Sequence, residues 1–215
     1  MLIAKPANGL IRILIVDDHP VVCAGLTSML SAQPGIEVVG SAASGEEALA
    51  IVQRDSPDVL LLDLRMPGMD GIGVLQALKK MGNSPRVVVL TSFEKEEDIY
   101  RAIRAGAHGY LLKDSIKSEM IAAISVVNAG KRYIPRHIAA RLADRMMRSD
   151  LTPRELQILE LLAQGSTNKQ IGSALDISDN TVRHHVNNIM EKLQVSDRTE
   201  AVATAMRSGV LSGTD

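Results

Sequence analysis

The chain has almost no cysteine, no long apolar run and almost no net charge, and each lack excludes something. One cysteine, Cys23, in 215 residues leaves no internal disulfide. It has no Cys or His partner at metal-ligand spacing, and it lies in an apolar helical pattern with Val22, Leu26 and Met29, where a thiol serves as core packing. No stretch approaches the roughly 20 consecutive apolar residues of a membrane span, and the segment from Met1 to Leu10 lacks the apolar run of a secretory signal. The expectation is a soluble, cytoplasmic protein with no membrane contact. Phosphate-binding loops are missing too. There is no Gly-x-x-x-x-Gly-Lys-Ser/Thr, and Gly71 and Gly73 lack the third glycine and the preceding strand of a dinucleotide fingerprint. Internal repeats and low-complexity segments are absent.

The net charge of −1 alone says nothing about nucleic acid, but its distribution is uneven. Residues 1–130 carry net −3, residues 131–150 net +4 and residues 151–215 net −2. Any DNA contact by the last segment must rest on a few well-placed cations and on helix N-termini.

What is present in residues 1–130 is an alternation. Short β-branched runs at 11–16, 37–40, 59–62, 87–90 and 109–112 read as buried strands. Helical stretches fall between and after them at 19–32, 45–54, 71–81, 95–105 and 115–129. Ser44 is a candidate cap with Glu46 and Glu47 in the first turn, Ser115 a candidate cap for the fifth helix, and Gly82 and Gly130 follow helical runs. Five βα units in series predict a parallel sheet covered on both faces. Residues 131–150 are basic and contain a helix-prone run, 138–147, after Pro135; they read as a partly helical linker. From Leu151 onward only helices are expected, at 153–164, 168–175, 179–193 and 197–210.

In an open parallel sheet the site lies at the carboxyl edge of the strands. There the sequence delivers Asp17 and Asp18 after the first strand, Asp63 at the end of the third, Thr91 and Ser92 after the fourth and Lys113 after the fifth. Taken singly, each has an ordinary structural use: a turn or helix cap for the acids, a core hydroxyl for Thr91, a surface position for Lys113. Together they make a pocket. Three carboxylates need a cation among them, and hard oxygen ligands suit Mg²⁺. A carboxylate can also be phosphorylated, with Lys113 and the Thr91 hydroxyl facing the phosphoryl oxygens.

On these residues, segment 10–130 resembles a response-regulator receiver domain. The resemblance implies Asp63 as phospho-acceptor, Asp18 as a direct Mg²⁺ ligand, Asp17 acting partly through water, and the backbone carbonyl of Arg65 completing the metal site. It also implies Thr91 as switch hydroxyl, Lys113 as the phosphate-pairing lysine and Tyr110 as the switch aromatic, within a flavodoxin-like doubly wound (βα)5 fold. An aspartyl phosphatase is disfavoured because Asp63 is followed by Leu64 and Arg65, not by a second aspartate at the required place. A receiver working as a mere protein-binding module is disfavoured by the intact set of polar residues.

Residues 151–215 open with Thr152 before Pro153 and Glu155, a capping signature. Asp176, Ile177 and Ser178 read as a tight turn. On the next helix Val182, Val186, Ile189 and Leu193 make one buried stripe, while Asn180, Arg183, His184, Asn187 and Asn188 lie opposite. By itself that opposite side is a solvated polar face. However, Leu151–Glu155, Ala163–Gly165, Asn168–Ile171, Ile177–Ser178 and Thr181–Val186 resemble the LuxR-type helix-turn-helix of the NarL/FixJ regulators. The resemblance implies an all-α four-helix domain with a recognition helix from Asp179. Arg183, His184, Asn187 and Asn188 would face base edges, and Lys169 and Thr181 would contact phosphate. The last helix would serve dimerisation. Many relatives have lysine at the position of Asn187, which implies fewer ionic contacts here. His185 borders the buried stripe and reads as structural. The implied whole is a two-component regulator, not an enzyme, whose partners are a histidine kinase, DNA and a second copy of the chain.

Overall fold

The structure, a computed structural model, describes residues 9–211 other than 83, 93, 94 and 147–149. The first unit alternates strand and helix: β1 (Ile11–Val16), α1 (Pro20–Ser31), β2 (Ile36–Ala42), α2 (Gly45–Asp55), β3 (Val59–Asp63), α3 (Gly71–Met81), β4 (Arg86–Thr91), α4 (Glu96–Ala105), β5 (Gly109–Leu112) and α5 (Lys117–Asn128). Then come α6 (Arg136–Met146), α7 (Pro153–Ala163), α8 (Asn168–Leu175), α9 (Asp179–Leu193) and α10 (Arg198–Ser208). The chain passes from one compact unit to the other between Ala139 and Ala140, inside α6.

The five strands form one parallel sheet in the order β2-β1-β3-β4-β5. A strand covered on both faces has no polar alternation, and β3 is buried at every position. Ile13, Ile15, Val59, Leu61, Val88, Leu90 and Leu111 pack one face against Leu30 of α1 and against Met120, Ala123, Ile124 and Val127 of α5. The alternate residues Leu14, Val16, Leu60, Leu62, Val87, Val89 and Tyr110 are buried on the other face. Each such side chain contributes roughly 1.5–3 kcal/mol by leaving water.

The strand limits differ from expectation at the edges. β2 runs from Ile36 to Ala42, longer than the expected 37–40, because it is a half-exposed edge strand that admits Gly40 and Ser41. Ser115 does not cap α5: its amide bonds to Leu112 O in the turn closing β5, and the N-cap is Ile116, with no side-chain bond. The linker helix begins at Arg136, earlier than expected; the expected last residue, Met147, lies outside the described residues. The linker also does something local patterning could not reveal. Tyr133 bridges in parallel to Gly109, its amide donating to His108 O (3.0 Å) and its carbonyl accepting from the Tyr110 amide (3.1 Å). The outer edge of β5 is thereby covered.

The second unit is helical, with its core in Ile158, Leu159, Leu162, Ile171, Val182, Val186, Ile189, Leu193, Ala201 and Ala205. The stripe expected on 179–193 is the set α9 buries. Caps fix the helix starts. Thr152 with Glu155 and Thr167 with Gln170 form reciprocal capping boxes, Ser178 accepts from the Thr181 amide, and Asp197 accepts from the Thr199 and Glu200 amides. The α8–α9 turn is tight at Gly172. A Cβ there would lie 2.7 Å from the Ile177 carbonyl oxygen, whereas the Ile177 amide bonds to Gly172 O at 3.0 Å.

Candidate functional site

Parallel pairing carries the chemistry to one rim. Val16 pairs with Leu62, Asp63 with Leu90 and Thr91 with Leu112, so the last residues of β1, β3, β4 and β5 end near one level. Backbone bonds then fix the residues just beyond: the Asp17 amide to Ala42 O (3.1 Å) and the Lys113 amide to Thr91 O (2.9 Å). Gly71 lets the start of α3 press against the end of β3. A Cβ there would collide with the Asp63 carbonyl oxygen and stand 2.8 Å from Leu64 Cα.

Asp17, Asp63 and Thr91 are 2%, 4% and 1% exposed. Lys113 Nζ lies 2.6 Å from Asp17 Oδ2 and donates to Asp63 Oδ2 at 2.7 Å. The Arg65 amide donates to Asp63 Oδ1 at 3.3 Å, laying the loop backbone beside the carboxylate. Burial pulls the Lys113 ammonium down, but its hydrogen bonds to Asp17 and Asp63 and the attraction of both carboxylates outweigh this and raise it above its ordinary value. Lys113 pairs with two carboxylates and Asp18 adds a third beside them, so the pocket carries more negative than positive charge. Asp18 Oδ1 is buried and accepts no well-directed hydrogen bond, His19 Nδ1 lying 2.9 Å away but misaligned, a costly state for a carboxylate oxygen that a cation would relieve. The donor set is hard oxygen, which fits Mg²⁺. Tyr110, on β5, is fully buried.

Sequence reading missed His19. Its Nδ1 lies 2.9 Å from Asp18 Oδ1 and 3.2 Å from Asp17 Oδ1, and one ligand atom each from Asp17, Asp18, His19 and Asp63 falls within 4.8 Å of the others. Its place between the acidic pair and Pro20 was the available signal. Also missed was Asp98, which ion-pairs with the Arg65 side chain at 2.9 Å. Cys23 Sγ donates to Asp17 O at 3.3 Å, and burial, reinforced by Asp17, pushes its thiol up, so it stays protonated beside the pocket.

In the second unit the candidate DNA residues do not converge on a pocket; they line a surface. Lys169, Thr181, Arg183, His184 and Asn187 are exposed and Asn188 is half-buried. Arg183 Nη2 lies 3.5 Å from Asp179 Oδ2, Asn188 Nδ2 lies 3.4 Å from His184 Nε2, and Thr181 Oγ1 shares a 2.8 Å hydrogen bond with Ser178 Oγ. Behind this face sits a buried ion pair. Glu155 Oε2 accepts from Lys192 Nζ (2.7 Å), the Thr152 amide (2.7 Å) and the Thr152 hydroxyl (2.9 Å). Burial raises the Glu155 carboxyl, but Lys192 and the Thr152 donors outweigh it and hold it below its ordinary value.

Comparison with known proteins agrees with both halves. Residues 13–125 match the family described as response regulator receiver domain, and residues 149–205 match bacterial regulatory proteins, luxR family. The transcriptional regulatory protein LiaR of Bacillus subtilis (strain 168) is 42% identical over 211 residues, covering 94% of this chain and 100% of its own. The response regulator ChrA of a heme-sensing two-component system is 39% identical with a TM-score of 0.57, covering 94% of this chain and 100% of its own. RcsB from Salmonella enterica serovar Typhimurium, solved bound to a promoter in the presence of phosphomimetic BeF3-, is 25% identical with a TM-score of 0.71, covering 93% of this chain and 98% of its own. No helix among the described residues is long and apolar enough to cross a membrane. The chain belongs to the two-component response regulators that join a receiver domain to a LuxR-type DNA-binding domain and regulate transcription rather than catalyse metabolism.

Proposed function

We propose that Asp63 is the phospho-acceptor and that its phosphorylation controls dimerisation and sequence-specific DNA binding, and through them transcription. In this reading the receiver spans residues 10–130, the basic linker 131–150 and the DNA-binding domain 151–215, and the protein acts in the cytoplasm. The observation that carries it is the meeting of Asp63 with Asp17, Asp18 and Lys113 at the rim of one sheet.

An Asp63 carboxylate oxygen attacks phosphorus of a phosphohistidine on a histidine kinase, or of acetyl phosphate. The new O–P bond forms as the P–N or P–O bond breaks, and the electron pair leaves on the imidazole nitrogen or the acetate. Asp18, Asp63 and the Arg65 carbonyl would hold Mg²⁺, with Asp17 acting partly through water, and the ion would supply positive charge toward the phosphoryl oxygens. Lys113 exchanges its bond to Asp63 for one to a phosphoryl oxygen, and the Thr91 hydroxyl donates to another. The modification adds about −1.5 to −2 charges. Tyr110 and Thr91 are already enclosed, so the switch is a repacking of Tyr110 into space that Thr91 vacates. The α4–β5–α5 face changes with it.

The DNA-binding half of the reading rests on the exposure of Lys169, Thr181, Arg183, His184 and Asn187 along α8 and α9, and on the likeness to RcsB. With α9 in the major groove, Arg183, His184, Asn187 and Asn188 address base edges while Lys169 and Thr181 hold phosphates. Two copies joined through α10 read half-sites related by two-fold symmetry. Incubation with labelled acetyl phosphate and Mg²⁺ tests the acceptor. Wild-type protein takes up label and Asp63→Asn does not; label entering that variant at the wild-type rate removes Asp63 from its role.

A further inference from the structure

The second unit is short of free positive charge. Of the six cations in residues 151–215, Arg154 donates to Leu175 O (2.7 Å), Lys192 to Glu155, Arg198 to Ser166 O (2.8 Å) and Arg207 to Thr204 Oγ1 (3.0 Å), while Arg183 faces Asp179. Among the described residues only Lys169 has no such tie. Residues 151–215 carry net −2, so this unit alone is a weak polyanion binder.

The linker is the opposite. Lys131, Arg132 and Arg136 are exposed, and among the described residues none of the three makes an ion pair. They are held in place. Gly130 ends α5 in a left-handed turn (φ 80°), and the Tyr133 bridge pins the backbone between Arg132 and Ile134 to β5. Pro135 O, accepting from the Ala139 amide, starts the helix that carries Arg136. A further cation stands close by: Arg86 Nη1 lies 3.0 Å from His108 Nε2, and Arg86 Nη2 would stand 3.8 Å from a Cβ on Gly130. Fixed, solvated and unneutralised cations at this density call for an anionic polymer.

We propose that Lys131, Arg132 and Arg136 form a second, sequence-independent DNA contact, binding backbone phosphates outside the helix-turn-helix. The inference rests on the DNA-binding reading above. It makes the linker a source of affinity and leaves the α9 face to supply specificity.

The test uses the full-length chain after acetyl phosphate treatment and a fluorescein-labelled duplex of about 30 base pairs of arbitrary sequence. Anisotropy gives the binding constant as a function of salt. Each lost phosphate contact flattens the slope of log K against log salt by about 0.9, so K131Q/R132Q/R136Q should lose about 2.7 from the slope and bind ~10-fold or more weakly at 0.1 M salt. R132K/R136K keeps the charge and should keep the slope. K79Q/K80Q, which removes two exposed lysines from the end of α3, should also keep it. Unchanged melting and phosphate uptake establish that the triple variant is folded. A wild-type slope in that variant overturns this inference alone. No binding by wild type even at low salt overturns it together with the DNA-binding reading. Loss of binding to phosphatidylglycerol vesicles, with the slope on DNA unchanged, assigns the cluster to a membrane surface and likewise overturns it.

Discussion

Both units of the chain bury charge, and they do so to opposite ends. In the receiver, the Asp17 and Asp63 carboxylates share one ammonium, and beside them a buried Asp18 oxygen accepts no well-directed hydrogen bond. In the DNA-binding unit, one buried carboxylate, Glu155, meets one ammonium and two Thr152 donors. The first arrangement carries more negative than positive charge; the second is balanced and fixes the start of α7 to the end of α9. Unbalanced buried charge marks a reactive pocket, and balanced buried charge marks a structural joint.

The contrast can be broken in several ways. The largest expected effect is on the joint. Lys192→Met leaves the buried Glu155 with its Thr152 donors but no counter-charge, which should cost the DNA-binding unit about 3 kcal/mol in urea unfolding while phosphate uptake by Asp63 is unchanged. A slower uptake, or no loss of stability, would dissolve the distinction. Next is Gly172→Ala, whose Cβ meets the Ile177 carbonyl. It should cost about 2 kcal/mol and weaken DNA binding, again without touching phosphorylation. In the receiver the sign reverses. Asp18→Asn relieves repulsion and should raise the metal-free stability of that unit by about 1 kcal/mol, while abolishing any rise in melting temperature on adding Mg²⁺. Destabilisation by Asp18→Asn would mean the pocket is as balanced as the joint.

The smallest effect is one of pH. The Val87 amide donates to His108 Nδ1, and burial, then Arg86 and Arg132, hold this imidazole below its ordinary 6.5. The unfolded chain therefore takes up the proton first. His108's contribution is complete above about pH 6.5 and lost as pH falls through its lowered folded value. Glu155 is also lowered, from 4.5, so its contribution survives to more acid conditions before it too is lost. Melting followed from pH 7 to pH 5 should show the receiver weakening before the DNA-binding unit, and less so in His108→Gln. Equal weakening of wild type and variant would remove His108 from the account.

Much of this was legible in the sequence, for identifiable reasons. Strands buried on both faces appear as unbroken apolar runs, so β1, β3 and β5 could be located from composition alone. Helix starts with a side-chain cap, at Ser44, Thr152 and Ser178, announce themselves, whereas Asp197, expected as the first helical residue, proves to be the cap of α10. The start of α5 did not, because Ile116 caps it by backbone alone and Ser115 was the more eye-catching residue. Asp63 and Lys113 stood out because both follow apolar runs. Long-range partners did not: Asp98 on Arg65, Lys192 on Glu155 and Tyr133 on β5 are brought together by the fold, and nothing local marks them, whereas His19 was marked by its place next to the acidic pair.

That last contact bears on how the receiver tolerates being cut. Tyr133 covers the rim of the sheet where β5 would otherwise offer unpaired amides and carbonyls to another molecule. A fragment ending at Gly130 bares that rim and is expected to self-associate by strand addition. One that keeps residues through Pro135 carries its own edge protection, so the first five linker residues are as much a part of the receiver's solubility as of its connection to the second unit.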